Sequence, residues 1–350
     1  MISVAARATH GPRQPFVPMV VERRDVGPRD VLIDVAYAGI CHTDVAHARE
    51  EWGPSIFPLV PGHEIAGHVV AVGSEVTRFA IGDRAGVGVM VDSCRTCAQC
   101  RAGREQHCVE LFTRTYNRIG RDGLPTYGGY SERIVVDEAF VVRLPDGVPL
   151  ERLAPLMCAG ITVYSPMRRW GIGPGSRVAV LGFGGLGHVA VQIARALGAH
   201  VTVLDLTLDK REDATALGAH EVRATSDPAT FADLVDHFDL VLSTIPARYD
   251  VTAVMRLLDV EGVLVNLGIA DKPLEVETWP LMSHARVVAG SSIGGIAQTQ
   301  EMLEFCGAHG IGALVEVIDA DRIDEAFDRL DRGDVRFRFV IDASTIAPST

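Results

Sequence analysis

Residues 177–197 read RVAVLGFGGLGHVAVQIARAL. The apolar run Arg177–Leu181 predicts a strand, a glycine-rich turn follows directly, and residues 188–197 predict a helix. The glycines permit a tight bend and let the backbone approach a pyrophosphate, whose charge then meets the N-terminus of the helix. A glycine triplet alone is weak evidence, but the order strand, turn, helix predicts a dinucleotide-binding unit. Its predicted cofactor contacts are Gly182, Gly184, Gly185, Leu186 and Gly187.

The rest of the chain falls into two regions with different patterns. Beyond the glycine turn, short apolar segments alternate with amphipathic stretches; the predicted strands are Val201–Asp205, Leu240–Ser243, Val263–Leu267 and Val287–Gly290. This alternation is typical of a doubly wound parallel sheet. Upstream, to about residue 155, short strands and glycine-rich turns predict a β-rich domain. The fold class is therefore α/β with two domains.

The choice between the two nicotinamide cofactors depends on the strand Val201–Asp205. Asp205 lies 23 positions after Gly182, close to the offset of roughly 20 residues expected for a carboxylate that bonds the adenosine ribose hydroxyls. Such a carboxylate repels a 2'-phosphate, so we expect NAD(H) to be preferred over NADP(H). Lys210 and Arg211 could still meet a phosphate, although charges on a solvated helix are the more common interpretation.

Four cysteines are concentrated between residues 92 and 110: Cys94, Cys97, Cys100 and Cys108. Two Cys-x-x-Cys steps and one longer return suit a closed, tetrahedral structural zinc site. A pair of disulfides is the alternative, but no secretory start is visible and cysteine is sparse elsewhere. Because a closed site has no open coordination position, we expect it to stabilise this lobe and to perform no chemistry.

A second metal site is predicted from residues that are distant in sequence. Cys41, His63 and Cys158 lie in the segments GICHTD (39–44), PGHE (61–64) and LMCAG (156–160). Two thiolates, one imidazole and an open fourth position make a zinc site that can polarise a substrate oxygen. Asp44 and Glu64 are adjacent to ligands and are predicted to orient the imidazole or to approach the metal transiently.

Taken together, these motifs resemble the zinc-dependent medium-chain alcohol dehydrogenases, from near the N-terminus to about residue 343. The signature that carries the resemblance is Gly62-His63-Glu64 followed by Gly67, Gly73 and Val76. The segments CHTD (41–44), CAGITVY (158–164) and GFGGLG (182–187) are similar to the cinnamyl alcohol dehydrogenase-like branch. The resemblance implies a GroES-like catalytic domain (1–157 and 297–350) with a structural-zinc lobe (92–110), and a Rossmann domain (158–296).

The resemblance also implies roles for individual residues. The catalytic zinc is held by Cys41, His63 and Cys158, with Glu64 beside it or as a transient ligand, and Thr43 passes the alcohol proton onward. The predicted catalytic residues are Thr43, His42, Asp44 and Glu64. Further predicted cofactor contacts are His42, Thr162, Lys210, Leu267 and Ile293. The predicted substrate-pocket residues are Trp52, Phe57, Leu111 and Phe112.

Two positions depart from that branch. Its members typically carry a small hydroxyl residue where this chain has Asp205, and they prefer NADP. They also carry a histidine five positions after the first zinc-ligand cysteine, where this chain has Ala46, and His47 comes one residue later. On a helix one residue turns the side chain by about 100°, so His47 is expected to miss the proton relay. Either water takes the last step, or the substrate needs no such path.

The predicted function is interconversion of a primary alcohol and an aldehyde, aromatic or medium aliphatic, because the predicted pocket is apolar. One alternative is reduction of an iminium or conjugated double bond on the same scaffold; another is a non-catalytic nucleotide-binding protein. The net charge of -12, from 33 basic and 45 acidic residues, disfavours nucleic acid and anionic membranes as partners. Without a predicted signal peptide or spanning helix, a cytoplasmic location is expected. The resemblance implies a homodimer or homotetramer, with residues 286–291 extending the sheet of a second subunit.

Overall fold

The structure is a computed structural model that describes residues 1–270 and 272–347. The chain divides into two compact units, one formed by Met1–Cys158 with Gly294–Thr350 and the other by Ala159–Ile293. The unit boundaries therefore follow residues 158 and 293, whereas the sequence places them after residues 157 and 296.

Among the described residues, the first unit contains eleven strands and five helices, in addition to short 3-10 turns. Its strands are β1 (Ile2–Ala8), β2 (Val17–Arg23), β3 (Asp30–Ile40), β4 (Ile65–Val72), β5 (Arg84–Val87), β6 (Met90–Asp92), β7 (Thr113–Arg114), β8 (Arg133–Asp137), β9 (Val142–Arg143), β16 (Val315–Ile318) and β17 (Arg338–Asp342). Its helices are α1 (His42–Ala48), α2 (Ala98–Arg101), α3 (Leu150–Leu153), α10 (Ile296–Ala308) and α11 (Ile323–Asp331).

A seven-stranded mixed sheet organises this first unit. Its order is β16-β17-β3-β4-β5-β9, and β8 pairs with β3 beside β17. Every pair is antiparallel except β16 with β17. The long strand β3 thus lies in the middle of the sheet and ends at Ile40, directly before the first predicted metal ligand. The β-rich domain predicted from the sequence is confirmed.

The second unit is built from strands and helices in alternation. Its strands are β10 (Arg177–Leu181), β11 (His200–Asp205), β12 (Glu221–Ala224), β13 (Phe238–Ser243), β14 (Leu258–Asn266) and β15 (Val287–Gly290). Its helices are α4 (Ala159–Arg169), α5 (Gly187–Ala196), α6 (Arg211–Ala216), α7 (Pro228–Asp233), α8 (Val251–Met255) and α9 (Thr278–Ser283).

The six strands of the second unit form one parallel sheet in the order β12-β11-β10-β13-β14-β15. Residues 178–181 of the central strand β10 are apolar and at most 2% exposed, as expected for a parallel sheet that is covered by helices on both faces. This confirms the doubly wound sheet. Strand β14 begins five residues earlier than predicted, because its pairing with β13 continues across an irregularity between Phe238 and Leu240.

Over the part of the chain that the structure describes, no helix is both long and apolar enough to span a bilayer.

Candidate active site

Four potential metal ligands from three separate segments of the sequence meet in the first unit. Cys41 precedes α1, His63 and Glu64 directly precede β4, and Cys158 follows a 3-10 turn. One ligand atom from each residue lies within 4.8 Å of the corresponding atoms of the other three. Three of the residues are buried and Cys158 is half-buried. The hydroxyl of Thr43 lies 3.6 Å from the Cys41 sulfur.

Asp44 organises this cluster by accepting four contacts on one buried carboxylate. Its Oδ1 lies 3.2 Å from Nδ1 of His63 and 3.3 Å from the backbone nitrogen of Gly62. Its Oδ2 accepts a 2.8 Å hydrogen bond from the backbone of Cys41, which caps helix α1, and a 3.3 Å bond from the Tyr130 hydroxyl. Because Nδ1 of the imidazole is occupied, Nε2 is left to bind a metal.

Glu64 brings a second carboxylate into the cluster and forms a buried ion pair with Arg338 of β17. Its other oxygen, Oε2, is buried and has no hydrogen-bond partner. Gly39 makes room for it, since a Cβ on that glycine would lie 2.1 Å from the same oxygen. A buried oxygen without a partner is costly, and a cation in the cluster would satisfy it.

The cluster strongly perturbs the proton affinities of its members. The pKa of Cys41 is held well below its ordinary value, chiefly by a hydrogen bond from the Cys158 thiol and also by His63; the pKa of Cys158 is raised by the same hydrogen bond and by burial. Burial raises the pKa of Glu64 to about 7, although the Arg338 guanidinium opposes this shift. Burial acts to lower the pKa of Arg338, but Glu64 and the sulfurs outweigh it, so Arg338 remains charged.

The four cysteines of the lobe form a second, separate cluster. Their sulfur atoms all lie within 4.8 Å of one another, and every cysteine of the chain is a free thiol. The backbone nitrogens of Cys94, Cys97 and Cys100 point at the sulfurs of Cys108, Cys94 and Cys97 at 3.4, 3.4 and 3.5 Å. Such amide contacts stabilise thiolates, so this arrangement suits a closed zinc site and the disulfide alternative is wrong.

The glycine turn in the second unit has the shape that a pyrophosphate requires. Gly182 has a φ of +92°, and a Cβ on Gly187 would lie 2.1 Å from the Gly182 carbonyl oxygen. Around Gly184 the space is open, since no heavy atom lies within 4 Å of an added Cβ. Strand β10 and helix α5 therefore pack closely around an accessible backbone turn.

Comparison with known proteins bears on both sites. The sequence profile of the alcohol dehydrogenase GroES-like domain matches residues 27–146, and that of the zinc-binding dehydrogenases matches residues 185–329. NADP-dependent alcohol dehydrogenase C 1 of Mycolicibacterium smegmatis is 52% identical over 99% of both chains. The chain belongs to the zinc-binding alcohol dehydrogenase family.

Two solved structures of this family are similar over nearly their whole length. A cinnamyl alcohol dehydrogenase from Sorghum bicolor, SbCAD4, has a TM-score of 0.95 at 39% identity over 100% of both chains. The Helicobacter pylori cinnamyl alcohol dehydrogenase complexed with NADP(H) has a TM-score of 0.91 at 39% identity, covering 98% of this chain and 99% of that one. The resemblance to the cinnamyl alcohol dehydrogenase-like branch is thereby confirmed.

The residues present fit the groups that this family binds. The two thiols, the imidazole and the unpartnered Glu64 oxygen suit a zinc ion, and the four-cysteine lobe suits another. The glycine turn suits a nicotinamide dinucleotide. Zinc binding and a nicotinamide cofactor are therefore properties of this alcohol dehydrogenase.

The other predicted cofactor residues occupy varied positions in the structure. Asp205 ends β11 and is half-buried, and Nζ of Lys210 donates to the Phe183 carbonyl oxygen at 3.2 Å. Thr162 lies buried on α4, Leu267 follows β14 and donates its backbone N–H to Ser243, and Ile293 is 9% exposed. His42 is exposed at the first turn of α1.

The predicted substrate-pocket residues do not all lie together. Leu111 and Phe112 line a cavity of about 510 Å³, together with Ile56 and Asn117. Trp52 is not in the lining of this cavity; its indole packs edge-on against the imidazole of His47, with ring centroids 5.8 Å apart. Phe57 is half-buried, and it also lies outside the cavity lining.

His47 is surrounded by partners that prevent it from titrating near neutrality. Asn117 approaches its Nδ1 at 3.0 Å and Arg114 approaches its Nε2 at 3.3 Å. Burial lowers the pKa of His47 to about 4, and the Arg114 charge acts in the same direction. Ala46, at the position of the expected relay histidine, is 0% exposed.

Sequence reasoning missed three residues that shape the cluster. Arg338 pairs with Glu64 across 274 positions, and Tyr130 donates to Asp44 across 86. Tyr116 is buried with its ring stacked on His63, with centroids 5.9 Å apart. The available signal was the segment VRFRFVI (335–341), where Arg336 and Arg338 alternate with apolar residues, because a charge buried within a strand requires a partner.

Proposed function

We propose that this protein is a zinc-dependent, nicotinamide-linked enzyme that interconverts a primary alcohol and an aldehyde. The observation that carries the proposal is the convergence of Cys41, His63 and Cys158 with the unpartnered buried oxygen of Glu64, in a chain of the alcohol dehydrogenase family. A zinc ion bound there acts as a Lewis acid that polarises the substrate oxygen.

The surrounding residues support the proton and hydride balance of this reaction. Reduction adds hydride from the reduced cofactor to the carbonyl carbon and a proton to the oxygen; oxidation reverses both transfers. Asp44 orients His63, and the Thr43 hydroxyl, 3.6 Å from the Cys41 sulfur, is close enough to the ligands to exchange that proton. Since His47 is held neutral between Arg114 and Asn117, we assign the final proton exchange to water.

Asp205 supports a preference for NAD(H). Its carboxylate is at the end of β11, where it would bond ribose hydroxyls and repel a 2'-phosphate. Lys210 is engaged with the Phe183 carbonyl oxygen, and exposed Asp209 adds a further negative charge next to it. The similar proteins described above are named NADP-dependent or bind NADP(H), so this preference would distinguish the chain from them.

Kinetics with both cofactors test that preference. We expect kcat/KM to be at least about tenfold higher with NADH than with NADPH, and Asp205→Ser to reduce or reverse this ratio. Asp209→Ser, which alters a neighbouring exposed carboxylate, is the matched control and should have a smaller effect. Equal or better use of NADPH by the unaltered protein would overturn the assignment.

The reaction itself is tested with a panel of aromatic and medium aliphatic aldehydes and their alcohols. Cys158→Ala should abolish turnover and lower the zinc content while NADH binding persists. Cys306→Ala is the control, because Cys306 is a buried thiol outside both clusters. Reduction of a conjugated double bond or an iminium, with no reduction of aldehydes, would favour the alternative chemistry; NADH binding without any turnover would favour a non-catalytic role.

We further propose a homo-oligomer that forms through β15 and resides in the cytoplasm. This strand is the last in its sheet, and Val288 on it is 37% exposed, so it is suited to pairing with a second copy. Seven free thiols suit a reducing compartment. Light scattering of the purified chain, before and after Val288→Pro, tests the pairing: a mass unaffected by this substitution would exclude it.

A further inference from the structure

We propose that the preferred substrates carry a second, anionic group, and that Arg114 is the residue that selects them. This inference rests on the proposed alcohol and aldehyde chemistry and adds the substrate class to it. The class is that of an aldehyde with a carboxylate at its far end, reduced to the corresponding hydroxy acid.

Arg114 is a cation without a carboxylate partner in the described chain. It lies at the end of β7 and is exposed, and its guanidinium approaches Nε2 of His47 at 3.3 Å. Two other arginines of this region are neutralised: Arg95 pairs with Asp92 and Asp137, and Arg121 pairs with Glu110. In a chain with a net charge of -12, an unpaired guanidinium that contacts the ring of His47 is free to receive an anion from a ligand.

Successive ring contacts connect Arg114 to His63, one of the potential metal ligands. The ring of Tyr116 stacks on His63 at 5.9 Å and meets the ring of His47 edge-on at 5.6 Å. Arg114 contacts Nε2 of this same His47 ring, and the indole of Trp52 packs edge-on against the ring. The guanidinium is therefore joined to the metal-ligand candidate His63 through two consecutive aromatic rings, those of His47 and Tyr116.

A second unpaired guanidinium strengthens the case for an anion. Arg118 lines the cavity that contains Leu111 and Phe112, and within the described ranges 1–270 and 272–347 it has no ion pair. The lining does not include Arg114, and its one carboxylate, Glu110, is paired with Arg121. Although the side chain of Arg114 is exposed at one end, its partial burial lowers the pKa of Arg114, and the like charge of Arg118 lowers it further. A carboxylate between the two would replace this repulsion with two charge-assisted contacts, and a guanidinium binds a carboxylate through two parallel hydrogen bonds.

The chemistry at the reacting end is unchanged by this anion. Hydride from the reduced cofactor forms the new C–H bond at the carbonyl carbon, the carbonyl π bond breaks, and the oxygen takes a proton. The distant carboxylate is neither oxidised nor reduced. Its contact with Arg114 lowers KM and helps to orient the carbonyl.

Matched substrate pairs test the proposal on the zinc-loaded enzyme. The pairs are 4-oxobutanoate with butanal, 6-oxohexanoate with hexanal, and 4-carboxybenzaldehyde with benzaldehyde. For at least one pair, kcat/KM of the anionic member should exceed that of its neutral partner by about tenfold or more. Raising the salt concentration should raise KM for the anionic member alone, because exposed charge contacts are screened.

Arg114→Ala should lower the ratio of anionic to neutral kcat/KM by about tenfold to a hundredfold, mainly through KM, and Arg114→Lys should restore part of it. Arg101→Ala removes an exposed arginine from the same lobe and should leave the ratio unchanged. Neutral aldehydes preferred in every pair, or a ratio that Arg114→Ala does not alter, would overturn this inference alone. If no aldehyde of either kind is reduced, the proposed function itself fails.

Discussion

Substitution of Asp44 by asparagine provides a sharp test of how the zinc site is supported. The carboxylate receives four donors: the backbone N–H groups of Cys41 and Gly62, the hydroxyl of Tyr130 and Nδ1 of His63. Asparagine has the same shape but replaces one oxygen with an NH2 group, so it must present hydrogens to two of these donors.

Either orientation of the new amide has a calculable cost. If its NH2 faces Cys41, the Tyr130 hydroxyl can rotate to accept, but one buried N–H loses its partner, which costs about 1–3 kcal/mol. If the NH2 faces His63, Nδ1 must become an acceptor and the proton moves to Nε2, the nitrogen that would bind zinc. We therefore expect stability to fall by about 1–3 kcal/mol and zinc affinity at this site to fall about tenfold to a hundredfold.

Chelator competition and urea unfolding measure these two effects separately. Asp30→Asn is the matched control, because Asp30 is also a buried carboxylate of the first unit but bonds Arg24 and the backbone of Gly27. This control should lower stability without changing zinc affinity. Unaltered zinc affinity in Asp44→Asn, or an equal loss in Asp30→Asn, would refute the reasoning.

Two further predictions concern acid stability and the cysteine lobe. Because the pKa of His47 is about 4 in the folded chain against an ordinary 6.5, the unfolded chain binds more protons between these pH values, and the free energy of unfolding should fall as pH decreases from 6.5 to 4. In urea titrations, this fall should be smaller in His47→Gln by about 1–2 kcal/mol after allowance for screening. A fall of the same size in the variant would contradict the assignment. Cys97→Ser should lower the zinc content from about two to about one per chain and lower the melting temperature, and retention of both zinc ions would show that the lobe does not require this thiol.

Local patterns predicted much of the architecture and many of the residues that meet at the site. A strand, glycine turn and helix in sequence require only short-range geometry, and the parallel sheet follows from repeating that pattern. Likewise, Cys41 directly follows β3 and His63 lies just before β4, so each stands at the end of a strand that its own segment predicts. These parts of the molecule depend on neighbours in sequence, which a single chain reveals.

The remaining features depend on long-range packing. Nothing near Glu64 in the sequence indicates that Arg338 will neutralise it, because β17 joins the sheet from the far end of the chain. The contacts of His47 could not be predicted from the sequence either. Helical geometry predicted that its side chain turns away from the relay, but it did not predict the partners, Arg114 and Asn117, which belong to a later segment.

The pairing of Glu64 with Arg338 also constrains how the protein is made. Glu64 emerges early in synthesis, yet the cation that balances its buried charge is added 274 residues later. Since a buried carboxylate without a counter-charge is strongly destabilising, the first unit cannot close around its metal ligands while the ribosome is still translating the inserted nucleotide-binding unit. The order of folding then differs from the order of synthesis. The unit Ala159–Ile293 can fold first, although part of the first unit is synthesised before it, and the metal-ligand cluster is completed only when β17 has been synthesised.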